Sequence, residues 1–182
     1  MKHGRSQVVV RDAAALVAFL KRRLADSRGR LVAVDGLREA GKSTIAEALA
    51  RELSATWVRV DDYLRKSRST PYADRLDATG LHKALMAARE TGQTCIVEGL
   101  CIRDVLARFG SLADFHVYVG RVDSFGEWCE PDYFDDTISL ADLLAAIGPP
   151  DTEGAAFDRD LAVYHKAKKP TLHADLIYRR RE

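Results

Sequence analysis

The chain has 182 residues, 47% of them hydrophobic, enough for one well-filled core and too few for two full domains. Lys plus Arg total 28 against 27 for Asp plus Glu, so the net charge of +1 gives no sign of a nucleic-acid footprint or a general membrane-surface role. No apolar run reaches the ~20 residues of a bilayer span, and the start MKHGRSQVVVRD holds no secretory core. The three cysteines, Cys95, Cys101 and Cys129, lack metal-ligand spacing and read as reduced thiols. A cytoplasmic protein handling a small ligand is expected.

In chain order, Asp12 is placed to cap a first helix whose Leu16, Phe19, Leu20 and Leu24 share one face, with Ser27-Arg28-Gly29 as its stop. Leu31-Val32-Ala33-Val34 is a continuous apolar run, the pattern of a strand buried on both faces. A Gly-rich turn and a helix from about Lys42 to Leu53 follow, then a strand over Thr56–Val60. A polar loop from Asp61 to about Thr79 leads into a helix from Gly80 to Glu90, stopped by Gly92. Thr94–Val97 is a third strand, Val105–Phe109 a short helix, and Phe115–Val119 a fourth strand. Gly120 to Asp136 is acidic and aromatic and carries no clear period. Ser139 caps a helix through Ile147, Gly148-Pro149-Pro150 is a hard break, Glu153 to about Lys168 is a polar helix, and Ala174–Tyr178 a last strand. Arg179, Arg180 and Arg181 read as a solvated tail. Strands alternating with helices predict an α/β fold: three layers, with about five parallel strands flanked by helices. Residues 1–29 form a helical extension ahead of a domain over 30–182, and Val8-Val9-Val10 could pair two chains as a homodimer.

The sharpest signal is Gly36-Leu37-Arg38-Glu39-Ala40-Gly41-Lys42-Ser43, followed by Thr44, which fits G-x-x-x-x-G-K-[ST] at every fixed position. A strand precedes it and a helix follows. Glycines let the backbone curl so that several N–H groups face one anion, and the helix aims its N-terminal dipole at the same point. Lys42 supplies a cation to the outer phosphates, and the Ser43 hydroxyl is a magnesium ligand. The base-reading N-K-x-D of G proteins is absent, so ATP is favoured over GTP. Two acidic sites stand where strands end, Asp61-Asp62-Tyr63 and Glu98-Gly99. Phosphoryl transfer needs one carboxylate by the acceptor hydroxyl and another near Mg2+.

Together, Leu31–Gly36, Gly41–Thr44, Val60-Asp61-Asp62-Tyr63 and Ile96-Val97-Glu98-Gly99 resemble the uridine kinase-like family of P-loop kinases, which includes uridine, phosphoribulose and pantothenate kinases. Tyr164, His165, Pro170-Thr171 and Ala174–Ile177 extend the likeness toward the C-terminus. The resemblance implies that Asp61 is the base accepting the acceptor proton, with Asp62 its competitor. It implies that Glu98 and Ser43 surround the metal, and that Tyr63 and the loop Pro71–Asp77, with Tyr72 and Arg75, line the acceptor pocket. It also implies an arginine-rich lid soon after the fourth strand, but only Arg121 is basic there, so Arg159, with Lys166, Lys168 and Lys169 near it, becomes the candidate lid cation. The expected activity is transfer from ATP to a hydroxyl of a small metabolite such as a nucleoside. The alternatives are a kinase of the adenylylsulfate or gluconate type, or a nucleotide-binding regulatory module without transfer.

Overall fold

Each apolar run bounded by turn residues becomes a strand, and the strands lie parallel because a helix or long crossover returns the chain each time. In the computed structural model, which describes residues 7–25, 30–65 and 71–181, these are β1 (Val8–Val10), β2 (Leu31–Gly36), β3 (Thr56–Arg59), β4 (Cys95–Glu98), β5 (Phe115–Val122) and β6 (Leu176–Arg181). They form one sheet in the order β1-β6-β5-β2-β4-β3. The helices are α1 (Ala13–Leu24), α2 (Lys42–Leu53), α3 (Ala78–Glu90), α4 (Ile102–Ala107), α5 (Leu140–Ile147) and α6 (Glu153–Lys168).

Alternation along β2 sorts the core into two layers. Val32 and Val34 pack with Leu16 and Leu20 of α1 and Ile45 and Leu49 of α2. Leu31 and Ala33 pack with Leu81 and Leu85 of α3, Val105 of α4 and Leu161 of α6. The three-layer α/β expectation holds, with six strands in place of about five. The sixth is β1, which pairs in parallel with β6, Val8 opposite Leu176. The described part of the N-terminal segment thus gives a strand as well as α1. Asp12 and Ser139 cap α1 and α5 as expected; the helix stop assigned to Ser27–Gly29 lies outside the described residues.

Two stretches differ from the sequence reading. The arginines Arg179–Arg181 are the end of β6, in register with Gly120, Arg121 and Val122, and not a tail beyond it. The unassigned segment after β5 turns around Asp123, whose carboxylate accepts from the amides of Phe125 and Glu127, both at 2.9 Å. Trp128 then bridges back to Val122 and stacks on Phe134, ring centroids 4.8 Å apart, against the edge of Tyr118. No helix of the described residues is long and apolar enough to cross a membrane.

Candidate active site

β2 lies at the centre of the functional part of the sheet, and its C-terminal end runs directly into the phosphate loop. Gly36 is required where the loop starts: its φ is +149°, and a Cβ there would lie 2.1 Å from the carbonyl oxygen of Val119 on β5. Gly41 ends the loop as the N-cap of α2, with φ +93°. The α2 N-terminus therefore opens with backbone N–H groups that no side chain caps, the arrangement that receives an anion.

Lys42 is buried, and its Nζ donates to Leu37 O at 2.7 Å, across the loop. Burial lowers the ammonium pKa, and Asp35, Glu98 and Asp61 draw it back up. Three carboxylates from three strand ends thus surround one cation. Asp35, the last residue before the loop glycine, is buried and accepts from Gly36 N at 2.8 Å and from the Tyr164 hydroxyl of α6. Burial pushes its carboxyl up to about 6, against these hydrogen bonds and the Lys42 charge.

The two residues expected at the metal stand side by side. Ser43 Oγ donates to Glu98 Oε1 at 3.0 Å, with Arg59 Nε at 3.6 Å from the same oxygen. Glu98 is 2% exposed, and burial raises its pKa. Oxygens of one Mg2+ shell at about 2.1 Å from the ion lie about 3 Å apart, so this hydroxyl–carboxylate pair fits the spacing and hardness Mg2+ requires. Among the described residues no three His, Cys, Asp or Glu side chains converge as a metal cluster. A Mg2+ held there would take most of its shell from water and phosphate oxygens.

The two candidate bases part company. Asp61 Oδ1 accepts from the Tyr72 hydroxyl at 2.8 Å. Tyr72 is buried, and its backbone N donates to Asp160 Oδ2 of α6 at 2.6 Å. Asp62 instead faces Arg59, with Oδ1 at 3.7 Å from Nη1 and its side chain 59% exposed. Tyr63 packs beside the start of α3, where its carbonyl accepts from Asp77 N at 2.7 Å.

Arg75 is buried, donates to Glu153 at 3.0 Å and lies 4.5 Å over the Phe157 ring; its Nε has no hydrogen-bond partner among the described residues. Arg38 of the loop approaches the same ring from 6.0 Å and pairs with Asp158 at 3.3 Å. The first half of α6 thus sets Asp158 against the loop at Arg38, and Glu153 and Asp160 against Arg75 and Tyr72. Arg159 is directed elsewhere, donating to Leu144 O at 2.9 Å and Gly148 O at 2.5 Å, which clips the end of α5 to α6. A hollow of about 80 Å³ beside His165, Lys166 and Lys169 contains none of these site residues.

The sequence assigns no functional role to Asp35, Tyr164, Asp158 or Asp160, although Asp35 and Tyr164 lie in stretches that carry the resemblance. The available signal was Asp35 itself, a lone acid ending a buried apolar strand. The α6 acids are indistinguishable in sequence from a solvated helix face.

No family model matches the chain, and no curated protein matches it. Solved structures do. A possible uridine kinase from Bacillus stearothermophilus superimposes with a TM-score of 0.55 at 16% identity, over 91% of this chain and 98% of that one. A candidate fructose transport system kinase from Silicibacter sp. TM1040 does so with a TM-score of 0.51 at 21% identity, over 93% of this chain and 100% of that one. The chain shares their fold. The likeness supports, at the level of fold, the uridine kinase-like resemblance carried by the loop, the Asp61 segment and Glu98-Gly99.

Proposed function

We propose that the chain is an ATP-dependent phosphotransferase that phosphorylates a hydroxyl of a small metabolite, a nucleoside being the favoured class. The observation that carries this reading is the convergence on Lys42 of separate acidic groups suited to separate tasks: Asp61 held by Tyr72, and Glu98 held by Ser43. A regulatory nucleotide site needs the loop alone. A transfer site also needs a proton acceptor and a metal-holding carboxylate.

The loop amides and Lys42 bind the β- and γ-phosphates. Ser43 and Glu98 would hold Mg2+, which supplies charge neutralisation on the phosphates. Tyr72 occupies one oxygen of Asp61 and leaves the other for the acceptor hydroxyl. As that hydroxyl oxygen bonds to the γ-phosphorus, its proton passes to Asp61, and the bridging P–O bond breaks with its electron pair leaving on ADP. Direct in-line transfer needs no phospho-enzyme. The acidic, aromatic walls contributed by α6 and the segment after β5 favour a neutral or cationic acceptor over one already phosphorylated.

ADP release measured against a panel of nucleosides and sugars tests the reading. One acceptor should stimulate release, and Asp61→Asn should lower that stimulation by about 10²–10⁴ with ATP binding kept. A panel with no stimulation by any acceptor would overturn the transfer reading and leave a binding module.

A further inference from the structure

In-line displacement places the attacking and leaving oxygens on opposite sides of the transferred phosphorus. Asp61 and Tyr72 follow β3, at one edge of the sheet, and Glu98 ends β4 between them and the loop. With the acceptor on that flank, the departing nucleoside diphosphate must lie across the loop, toward β5 and β6.

β6 ends there in three arginines whose side chains alternate. Leu176 and Tyr178 belong to the core layer shared with α2, whereas Ile177 packs with Tyr118 and Trp128 on the other face. Arg179 follows Ile177 and lies 4.8 Å over the Trp128 ring. Arg180 follows Tyr178 and reaches the start of α2: a Cβ on Gly41 would lie 2.6 Å from Arg180 Nη1 and 3.7 Å from its Cζ. The guanidinium thus lies along the last glycine of the phosphate loop. Arg121, its register neighbour on β5, is paired with Glu130. Among the described residues no carboxylate pairs with Arg180.

We propose that Arg180 binds the phosphates of the departing nucleoside diphosphate, supplying on the β6 side the cation that the segment after β5 lacks. The assignment rests on the nucleotide-binding reading of the loop and deepens it. As the bridging bond breaks, charge accumulates on the β-phosphate of ADP, and a guanidinium held against Gly41 is placed to bind that charge by two parallel N–H donors. Gly41 serves a second purpose here, because any side chain would occupy the space that Arg180 fills.

Calorimetric titration of the parent chain, Arg180→Ala and Arg180→Lys with ADP and with inorganic tripolyphosphate tests this. The parent should bind both; Arg180→Ala should weaken both by roughly tenfold; and Arg180→Lys should recover part of the loss, with thermal midpoints matched because the side chain is exposed. Equal affinities for parent and Arg180→Ala overturn the assignment and leave the kinase reading standing. A loss confined to ADP, with tripolyphosphate unchanged, also overturns it, because the contact would then be to the base or ribose. A parent that binds neither anion sinks the phosphate-site reading itself.

Discussion

The phosphate loop and the start of α6 face each other at the same end of the sheet, yet they are built on opposite principles. The loop is fixed by backbone demands: Gly36 must admit the Val119 carbonyl, Gly41 must turn into α2, and Lys42 must reach back to Leu37 O. The facing surface is fixed largely by side chains: Arg38 pairs with Asp158, Arg75 pairs with Glu153, and Asp160 accepts from the Tyr72 amide. A backbone device tolerates almost no substitution at its few positions. A surface held by such contacts tolerates more, since an exposed pair such as Arg38–Asp158 contributes little alone. The loop is therefore readable as a motif, and the surface over it is not.

The largest effect should fall on the backbone-defined side. Lys42→Met should reduce acceptor-dependent ADP release by at least about 10³, since it removes the cation from the transferred group's phosphates. It also leaves Asp35 and Glu98 without their shared cation, so circular dichroism is needed to confirm the fold. Retained turnover would mean that the charge comes from the α6 side, and the contrast between the regions would collapse.

The same contrast explains what could be read from residues alone. The loop, the alternation of parallel strands with helices and the position of Asp61 and Glu98 at strand ends are legible because each meets a local backbone or charge rule; the strand order is not, because it depends on how the crossovers pack. The sequence ranks Asp61 above Asp62 by resemblance alone, because the contact that sets the two apart comes from Tyr72, beyond an intervening loop. Arg159 reads as a lid cation because only Arg121 is basic where a lid is expected, but its guanidinium lies against the α5 carbonyls of Leu144 and Gly148. Arg180 was read as a solvated tail because strand register with β5 is not visible in a run of three arginines.

The loop and the far end of α6 also titrate in opposite senses. Asp35, at the loop, has its carboxyl raised to about 6, so between its ordinary value of 3.8 and that point the folded state holds the extra proton, and stability falls as pH rises. His165, in the buried half of α6, donates from Nδ1 to Leu161 O and accepts the Tyr118 hydroxyl at Nε2; burial lowers its pKa from 6.5 to about 4. Between those values the unfolded state holds the extra proton, and stability rises with pH. The two slopes offset each other over most of the shared range. His165→Gln removes only the second. The stability of the parent relative to this variant should therefore grow by about 3 kcal/mol from pH 4 to 6.5, read from urea unfolding at both ends. Parallel curves would show that His165 is not held neutral by the core.

A smaller effect separates positioning from substrate contact at the junction of the regions. Tyr72→Phe removes the hydroxyl that orients Asp61 and keeps the ring against Phe157. The expected result is a fall in kcat of about fivefold to tenfold with the KM for ATP unchanged. A raised acceptor KM at constant kcat would instead place the Tyr72 hydroxyl on the substrate.

The smallest effect is expected at Arg159, and it is the most direct test of how the α6 region is built. Two carbonyls at the end of α5 accept from its guanidinium, so Arg159→Ala should cost about 1–2 kcal/mol of stability by leaving that helix end unpaired. Catalysis should be unchanged, because the side chain binds α5 carbonyls and makes no contact with the phosphate loop. A lid cation would behave in the reverse way, with stability kept and kcat lowered by about 10²–10³. Measuring both quantities on this one variant distinguishes a clip from a catalytic group. A lid cation found at Arg159 would place the charge absent after β5 on α6, whereas an unchanged kcat would leave the end of β6, where Arg180 lies against Gly41, as its source to be tested.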